Sequence, residues 1–398
     1  MIPRTHKLRL DPNNKQSNYL AQCLGNPRVI YNWGIDQIKE MIANEEKIIN
    51  CKELQKRFRE IRDDKFPYMK NVSSRIQYKP LDNLYMAMAR FRQKISEFPT
   101  YKKRGQQDSC YFPGERVAVD GEKIKIPMLG WVKMYEELRF DGKIVSVTIS
   151  RRAGRWFASV LVDVPEDKLQ LFPITKGVIG LDFGIHDTVV DSNGVKFNMP
   201  DQFKEFDKRI KFAHKSLSRK KKGSKNWIKQ VKKLQVLYYK RDCIKMDFLH
   251  KLTTMYTKDY DIIVIENLNV SGMMKNKNLA KSVQEASFRT TRTMFEYKTK
   301  WNGKTLIVAD RWFASSRLCC VCGTKNTELK LSDREWICPV CKTKHDRDIN
   351  AAINLKQYGL QQILVGCEDS KTVEIGSPCV IEVNDTGASR GNSNLALL

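Results

Sequence analysis

The segment that decides the fold is Val178-Ile179-Gly180-Leu181-Asp182-Phe183-Gly184, an apolar run that leads into an acidic residue. A similar run, Asp261-Ile262-Ile263-Val264-Ile265-Glu266, follows later in the chain. Short continuous apolar runs are typical of strands that are buried on both faces. Helical patterns at 201–256 and 281–300 separate these runs from each other and from a third run at Thr305–Ala309. Because strands alternate with helices, the sequence predicts an α/β core.

Acidic residues stand where these elements end or begin. Asp182 ends the first strand, Glu266 ends the second, and Asp348 opens a helix predicted at 347–359. Functional residues of open α/β sheets lie at the carboxyl ends of the strands, so these acids can converge. Carboxylates that converge bind hard cations, and two Mg²⁺ ions about 3.5–4 Å apart can support phosphodiester cleavage. The pattern therefore predicts a catalytic magnesium site.

Alternatives to this interpretation stay open. An acid at the end of a buried strand is a common structural feature, and Gly180-Leu181-Asp182-Phe183-Gly184 would also suit the phosphate turn of an actin-like or sugar-kinase fold. Asp346 competes with Asp348 as the third ligand, or it only caps the helix. His186 follows the first acid closely but is interpreted as a loop residue.

Two cysteine pairs predict a structural zinc site. The pairs are Cys319-x2-Cys322 and Cys338-x2-Cys341, and 15 residues separate them. Four thiolates around zinc form a closed tetrahedral site that leaves no position for water. Cys320 breaks the symmetric spacing and is interpreted as a bystander, and His345 adjoins a site that four thiolates already complete. The alternatives are unrelated free thiols and an iron–sulfur cluster.

The 398-residue chain has 71 Lys and Arg against 45 Asp and Glu, a formal net charge of +26. Such a surplus predicts a polyanionic partner, first of all nucleic acid. The 41% content of hydrophobic residues excludes wholesale disorder. Neither a membrane-spanning run nor the apolar part of a signal peptide is found, so we expect a cytoplasmic protein without a membrane partner.

Between Lys208 and Arg241 the chain has 14 Lys and Arg and not one acidic residue. A run of charged residues is commonly explained as the solvated face of a helix. This run lacks the acidic residues that would pair with its cations, and their absence favours phosphate as the counter-charge. Trp227, Tyr238 and Tyr239 either stack on bases or anchor the helix. The predicted contacts are Arg219, Lys220, Lys221, Lys222, Lys225 and Lys229, with a second set of Lys102, Lys103, Arg104, Arg151, Arg152 and Arg155.

The first half of the chain has a different pattern. A short strand at Lys7–Leu10 precedes helices predicted at 15–45, 51–63 and 80–98. The last of these has an apolar face of Leu81, Leu84, Met88, Phe91 and Ile95. Alternating runs at Lys123–Ile126, Ile144–Ser150 and Trp156–Val162 predict an antiparallel sheet or small barrel. Pro173 marks a boundary, and 366–398 are interpreted as a flexible tail.

Taken together, these motifs resemble the TnpB (OrfB) family, transposon-encoded RNA-guided DNA endonucleases that are related to type V CRISPR effectors. The resemblance extends from about residue 5 to 360. It rests on Gly180-Leu181-Asp182-Phe183-Gly184, Ile265-Glu266-Asn267-Leu268, Asp310-Arg311-Trp312-Phe313-Ala314-Ser315-Ser316 and Asp346-Arg347-Asp348-Ile349-Asn350-Ala351-Ala352, with further likeness in Val29–Gly34, Phe112–Gly114, Ile126–Gly130 and Ile149–Trp156.

The resemblance implies an α+β multidomain chain. Its parts would be a small β-barrel wedge-like domain (1–15 and 100–172), a helical recognition domain (16–99), an RNase H-like RuvC domain (173–313 and 345–365) and a zinc-ribbon insertion (314–344). It also implies that Asp182, Glu266 and Asp348 bind the catalytic metals. Further implications are a guide RNA from the transposon end, target DNA with a short flanking motif, and a basic helix that lines the channel for the guide–target duplex.

The function expected from this resemblance is Mg²⁺-dependent cleavage of DNA beside the flanking motif, in a bacterial or archaeal cytoplasm. We expect a monomer, although the oligomeric state is left open. Two other classes of protein remain alternatives. One is an RNA-guided repressor that binds DNA without cleaving it, against which the three intact acids count. The other is a guide-free RuvC-like nuclease or transposase, against which the long N-terminal half counts.

Overall fold

The computed structural model describes residues 1–105, 108–165, 177–278, 280–330, 332–368 and 380–381. The chain divides into two compact units. The first unit comprises Met1–Lys168 and Phe212–Tyr239, and the second comprises Leu169–Lys211 and Lys240–Leu398. The predicted boundary at Pro173 lies outside the described residues.

An antiparallel sheet of seven strands forms the first part of unit one. The strands are β1 (Ile2–Asp11), β2 (Ser109–Pro113), β3 (Ala118–Asp120), β4 (Lys123–Ile126), β5 (Gly130–Met134), β6 (Lys143–Arg152) and β7 (Arg155–Val164), in the order β2-β6-β7-β1-β5-β4-β3. Residues alternate between buried and exposed along most of these strands; in β1, for instance, His6, Leu8 and Leu10 are buried between exposed neighbours. This alternation is typical of a sheet with one face in the core.

The predicted closed barrel is wrong, because this sheet is open. Within the described residues its edge strands β2 and β3 do not pair with each other. β1 pairs with β7 from Ile2 to Leu10, but with β5 only at Leu10 and Asp11. Closure requires a continuous stagger of tilted strands around the barrel. The short β3–β5 meander is joined to one end of β1 alone and does not provide that continuity.

Three helices complete the N-terminal part of unit one: α1 (Asn14–Ala43), α2 (Cys51–Lys65) and α3 (Lys79–Arg92). Their buried side chains form one core cluster, to which α1 contributes Ile35 and α2 contributes Phe58. The apolar face predicted for the third helix is only half correct. Leu81, Leu84 and Met88 are buried. Phe91, in the last turn of α3, is exposed, and so is Ile95, which lies beyond the end of the helix at Arg92.

Unit two contains a mixed sheet. Its strands are β8 (Val178–Asp182), β9 (Val189–Asp191), β10 (Lys196–Phe197), β11 (Ile262–Ile265), β12 (Thr305–Val308) and β15 (Val380–Ile381), in the order β10-β9-β8-β11-β12-β15. β8, β11, β12 and β15 run parallel to one another, while β9 and β10 are antiparallel. A separate two-stranded sheet is formed by β13 (Glu335–Ile337) and β14 (Lys344–Asp346).

The basic stretch predicted as helical forms two helices, α4 (Asp201–Ser218) and α5 (Lys225–Asp259), each of which passes from one unit into the other. Between them Gly223 adopts φ +84°, a left-handed conformation that interrupts a helix. The helical pattern at 281–300 is likewise divided, into α7 (Ala280–Ala286) and α8 (Phe288–Trp301), because Ser287 is left-handed. A short α6 (Val270–Lys275) precedes them.

The last helix, α9 (Arg347–Glu368), packs directly on β8. A Cβ atom on Gly180 would lie 2.1 Å from the carbonyl oxygen of Ala352, so only glycine allows this approach. The helix extends beyond residue 365, where the RuvC-like domain was predicted to end. Val380 and Ile381 pair with Leu306 and Ile307 of β12, which the interpretation of a flexible tail did not anticipate. The rest of 369–398 lies outside the described residues.

Candidate active site and metal centre

The sheet of unit two brings the first two predicted acids together. Leu181 of β8 and Ile265 of β11 are partners in parallel register. The residues that follow them, Asp182 and Glu266, therefore leave adjacent strands at the same edge. α9 packs on β8 through Gly180 and has Asp348 in its first turn. The three predicted acids come from three elements that meet at the carboxyl ends of the parallel strands.

The charges of the three carboxyls influence one another. Asp182 is buried. Burial raises the pKa of Asp182 well above its ordinary value, and the nearby charges of Glu266 and Asp348 raise it further. Arg347 opposes this rise. The site therefore concentrates negative charge, which a bound cation would relieve.

Two residues that contact the acids were not predicted as site residues. The hydroxyl of Ser315 donates a hydrogen bond to Oε1 of Glu266, and Nη1 of Arg334 lies 3.3 Å from Oδ2 of Asp348. Nδ2 of Asn354 donates to the carbonyl of Ser315 at 2.7 Å, which fixes that segment against α9. Ser315 belongs to a segment that was quoted for the family resemblance, whereas no pattern in the sequence distinguished Arg334.

Asp346 has the geometry of a helix cap. Its Oδ1 accepts hydrogen bonds from the backbone N–H groups of Asp348 and Ile349 at 3.0 and 3.1 Å, and its Oδ2 accepts one from Nζ of Lys196 at 2.6 Å. Burial raises the pKa of Asp346, but the hydrogen bonds from Lys196 and the backbone outweigh it, so the net shift is downward. Both oxygens have partners, which favours capping over metal binding. His186 is an exposed loop residue whose Nδ1 lies 3.4 Å from Asp187.

The chemistry of the three carboxyls fits divalent magnesium. Mg²⁺ prefers carboxylate oxygens, and an excess of negative charge with a raised pKa is the condition that a cation relieves. Ligand atoms of the three acids do not all lie within 4.8 Å of one another; among the described residues only the cysteine cluster meets that criterion.

Cys319, Cys322, Cys338 and Cys341 form that cluster, with all four Sγ atoms within 4.8 Å of one another. Sγ of Cys319 lies 3.5 Å from Sγ of Cys341, and the same distance separates Cys322 from Cys338. With Zn–S bonds of about 2.3 Å, a tetrahedral site places its sulfur atoms ~3.8 Å apart. The four thiols therefore fit one zinc ion.

The two cysteine pairs are held by equivalent turns. Cys319 N–H donates to the carbonyl of Thr324 and Cys338 N–H to that of Thr343, both at 2.9 Å. Gly323 and Lys342 occupy corresponding left-handed positions at φ +73° and +58°. Hydrogen bonds with Thr324 lower the pKa of Cys322 to about 6, which favours the thiolate that a metal requires.

Neither Cys320 nor His345 belongs to the four-thiol group. Nε2 of the buried His345 lies 3.1 Å from Sγ of Cys319, and its ring packs against Trp336 with centroids 4.7 Å apart. The backbone N–H of Cys320 donates to Asn350 on α9 at 3.0 Å. These contacts connect the cysteine module to α9 and hence to the segment that bears Asp348.

The predicted nucleic-acid contacts all lie in unit one. Arg219, Lys220, Lys221 and Lys222 occupy the turn between α4 and α5, while Lys225 and Lys229 lie in the first turns of α5. Lys102, Lys103 and Arg104 precede β2, and Arg151, Arg152 and Arg155 flank the β6–β7 turn. Nζ of Lys102 lies over the Tyr31 ring at 4.1 Å, and partial burial lowers the pKa of this lysine.

The aromatic residues of α5 have partners within the protein. The hydroxyl of Tyr238 lies 2.8 Å from Nε2 of His214 on α4. The Tyr239 ring packs against Phe157 of β7, and the guanidinium of Arg155 lies 4.9 Å from its centroid. These contacts favour anchoring over base stacking for the two tyrosines. They also place Arg155 of the β6–β7 turn beside Tyr239 of α5.

Comparison with known proteins first defines the fold. The structure is similar to the cryo-EM structure of the Cas12f1–sgRNA–target DNA complex, with a TM-score of 0.54, 13% sequence identity, and coverage of 89% of this chain and 98% of that chain. Family models match residues 1–47 ("Helix-turn-helix domain"), 159–277 ("Probable transposase", OrfB) and 288–355 ("Cas12f1-like, TNB domain"). The chain has a Cas12f1-like fold.

Sequence relatives then identify the family. The "Putative RNA-guided DNA endonuclease" of Streptomyces pristinaespiralis is 33% identical over 368 residues, 90% of each chain. The "Putative RNA-guided DNA endonuclease InsQ" of Escherichia coli K12 is 28% identical over 389 residues, 94% of this chain and 95% of the relative. The chain belongs to the TnpB (OrfB) family. No helix among the described residues is long and apolar enough to span a membrane.

Proposed function

We propose that this protein is an RNA-guided DNA endonuclease that requires Mg²⁺ and cleaves through a single RuvC-like site. The observation that carries the proposal is the position of Asp182 and Glu266 at the ends of adjacent parallel strands, where the charges of Glu266 and Asp348 both raise the pKa of Asp182. The names of the two bacterial relatives support the same activity. The arrangement β10-β9-β8-β11-β12 supports an RNase H-like domain.

In the proposed mechanism the protein's own residues position the reacting groups. Asp182, Glu266 and Asp348 would hold two Mg²⁺ ions, which supply a nucleophile from water and neutralise charge on the leaving 3′-oxygen. Ser315 holds Glu266 in place through its hydroxyl. Asp346 caps α9 and thereby fixes the direction of Asp348. Arg334 lies beside Asp348 and would offset part of its charge.

The rest of the molecule binds nucleic acid in this proposal. Base pairing between guide and target would read the sequence, while the basic residues of unit one contact the phosphate backbone. The acid-free stretch from Lys208 to Arg241 suits this role because its charge lacks a matching set of carboxylates. The cysteine module would bind one structural zinc ion and support the segment that leads into α9. Such a protein works in the cytoplasm, where its RNA and DNA are found.

Cleavage assays of metal-ligand variants test the catalytic assignment. Asp182→Ala or Glu266→Ala should reduce cleavage of a guide-matched DNA in Mg²⁺ by about a thousandfold, because ~4 kcal/mol of transition-state stabilisation is lost with a metal site. Glu205→Gln, which changes an exposed acid of the same unit, serves as the matched control. RNA binding should survive in all three variants. Normal cleavage by either alanine variant would contradict the assignment.

The role of RNA requires a separate experiment. The protein is purified from its host, and bound RNA is extracted and sequenced. A defined RNA from the transposon end is the expected result. If no RNA co-purifies, both guided functions fail and a guide-free nuclease becomes the better explanation; if RNA binds but Mg²⁺-dependent cleavage is absent, the protein is a guided repressor.

A further inference from the structure

A cavity beside the candidate catalytic acids has no role in the mechanism so far. Its volume is about 410 Å³, and Glu266 is one of its lining residues. The other lining residues are Phe183, which follows β8, residues of the segment after β11 and of α8, and Arg311, which follows β12. Pockets of about 300–1,000 Å³ accept small molecules, so one nucleotide unit has room here.

The lining combines an apolar floor with cationic groups. Phe183, Phe288 and Leu268 contribute to the hydrophobic core of the unit and close the bottom of the cavity. Three arginines also line it: Arg289, Arg292 and Arg311. Such a surface offers apolar contact to a base or sugar and positive charge to a phosphate.

The three arginines are not equivalent. Nε of Arg292 lies 2.8 Å from Oε1 of Glu296, and its Nη1 donates to Oδ1 of Asn267 at 3.1 Å. Its charge is therefore already paired. Arg289 and Arg311 are exposed, and neither forms an ion pair within 4.0 Å with any residue in the described part of the chain. These two guanidinium groups are available to an anion that enters the cavity.

We propose that this cavity binds the nucleotide next to the scissile phosphate of the DNA strand being cleaved, and that Arg289 and Arg311 bind its phosphate. The inference rests on the proposed nuclease function, because it uses the position of Glu266 as a metal ligand. A strand held here has a phosphate on the arginines and a neighbouring phosphodiester beside Glu266. The cavity thus fixes the strand on one side of the reacting bond, which restricts the scissile group to a productive orientation.

Chemical substitution of single phosphates tests the contact. Guide-loaded protein is given target DNA in which each phosphate flanking the cut is replaced, one at a time, by an uncharged methylphosphonate. Methylphosphonate at one of these flanking positions should slow single-turnover cleavage by the wild type about 10- to 100-fold, because a charge-assisted hydrogen bond is lost. Arg289→Ala and Arg311→Ala should slow cleavage of unmodified DNA to a similar extent. In these variants, methylphosphonate at the same position should cause no further loss of rate.

The control and the conservative variant separate this role from a general effect of charge. Lys300→Ala removes an exposed cation from the other end of α8 and should leave both rates unchanged. Arg311→Lys should restore part of the lost rate. If the alanine variants retain the methylphosphonate penalty, or cleave unmodified DNA as fast as Lys300→Ala, the inference is wrong.

A binding measurement distinguishes failure of the inference from failure of the proposed function. In EDTA, the Asp182→Asn protein with its bound RNA is titrated with a fluorescent single-stranded oligodeoxynucleotide. Adding Arg289→Ala and Arg311→Ala should weaken binding about tenfold or more. If the arginine substitutions weaken oligonucleotide binding but the wild-type protein does not cleave DNA, the role of the cavity is supported and the proposed nuclease function is refuted. Unchanged affinity would refute the cavity whatever the outcome of the cleavage assay.

Discussion

Replacing Asp182 with asparagine should make the metal-free protein more stable while it abolishes cleavage. Asp182 is buried, and the charges of Glu266 and Asp348 raise its pKa in addition to the effect of burial. The amide of the variant carries no negative charge, so the repulsion by Glu266 and Asp348 is lost. Asp182→Asn thus relieves repulsion that the wild type retains for metal binding, a trade of stability for function.

The sign of the pH dependence follows from the raised pKa. Above the ordinary value of 3.8 for the unfolded chain, the folded protein binds more protons at Asp182 than the unfolded chain does. The wild type therefore loses stability as pH rises from about 4 toward the folded pKa, and the variant lacks this loss. The two proteins should be equally stable near pH 4 and differ most at neutral pH and above.

The expected gain at pH 7.5 is about 0.5–2 kcal/mol, the range that single stabilising substitutions commonly give. For a unit of about 150–250 residues, 1 kcal/mol corresponds to ~2–4 °C in Tm. The assay is denaturant and thermal unfolding in EDTA at pH 4 and 7.5, followed by cleavage in Mg²⁺. The reasoning would be refuted if the variant were less stable than the wild type at pH 7.5, or if its free energy of unfolding differed from that of the wild type by the same amount at pH 4 and pH 7.5.

Asp191→Asn is the matched control for this experiment. Asp191 is a buried acid on β9, the strand that pairs with β8. Its Oδ1 accepts from the N–H groups of Asn193 and Val195, both at 2.9 Å, and its Oδ2 accepts from the Tyr256 hydroxyl at 3.0 Å. Because donors rather than other acids surround this carboxylate, its substitution should destabilise the fold by about 1–3 kcal/mol. The two variants are thus expected to have effects of opposite sign.

Three further predictions concern the zinc site, the contact of α9 with the sheet, and a buried lysine. Cys338→Ser should lose its bound zinc, measured by mass spectrometry, and should unfold more easily, whereas Cys320→Ser should keep one zinc ion per chain. Equal zinc contents in the two variants would contradict the assignment of four ligands. Gly180→Ala should lower the free energy of unfolding by about 1–3 kcal/mol or more, because the added Cβ would lie 2.1 Å from the carbonyl oxygen of Ala352. Gly25→Ala, whose Cβ would have no atom within 4 Å, should not lower it. Burial lowers the pKa of Lys298 from 10.5 to about 8, so the stability of the wild type should rise between pH 8 and 10.5 relative to that of Lys298→Met. Parallel pH profiles of the two proteins in denaturant unfolding would contradict this.

The sequence alone was sufficient for the central strands of unit two and for its candidate ligands. Continuous apolar runs predicted β8 and β11, and the acids that end them are neighbours in the sheet. The spacing of Cys319, Cys322, Cys338 and Cys341 identified the thiols that cluster. These features are local: each depends on residues close together in the chain, and the carboxyl ends of parallel strands necessarily share an edge.

Features that depend on residues distant in the chain were beyond sequence analysis. Whether the sheet of unit one closes depends on how far β1 pairs with β5, and the alternating pattern of single strands does not contain that information. The contact of Arg334 with Asp348 and the support of Glu266 by Ser315 join elements that only packing brings together. The cavity beside Glu266 likewise exists only where α8 and the ends of β11 and β12 meet. The sequence determined which residues are candidates for the chemistry. Tertiary packing decided the neighbours that set their charge and orientation, because pKa values and binding surfaces depend on distance in space.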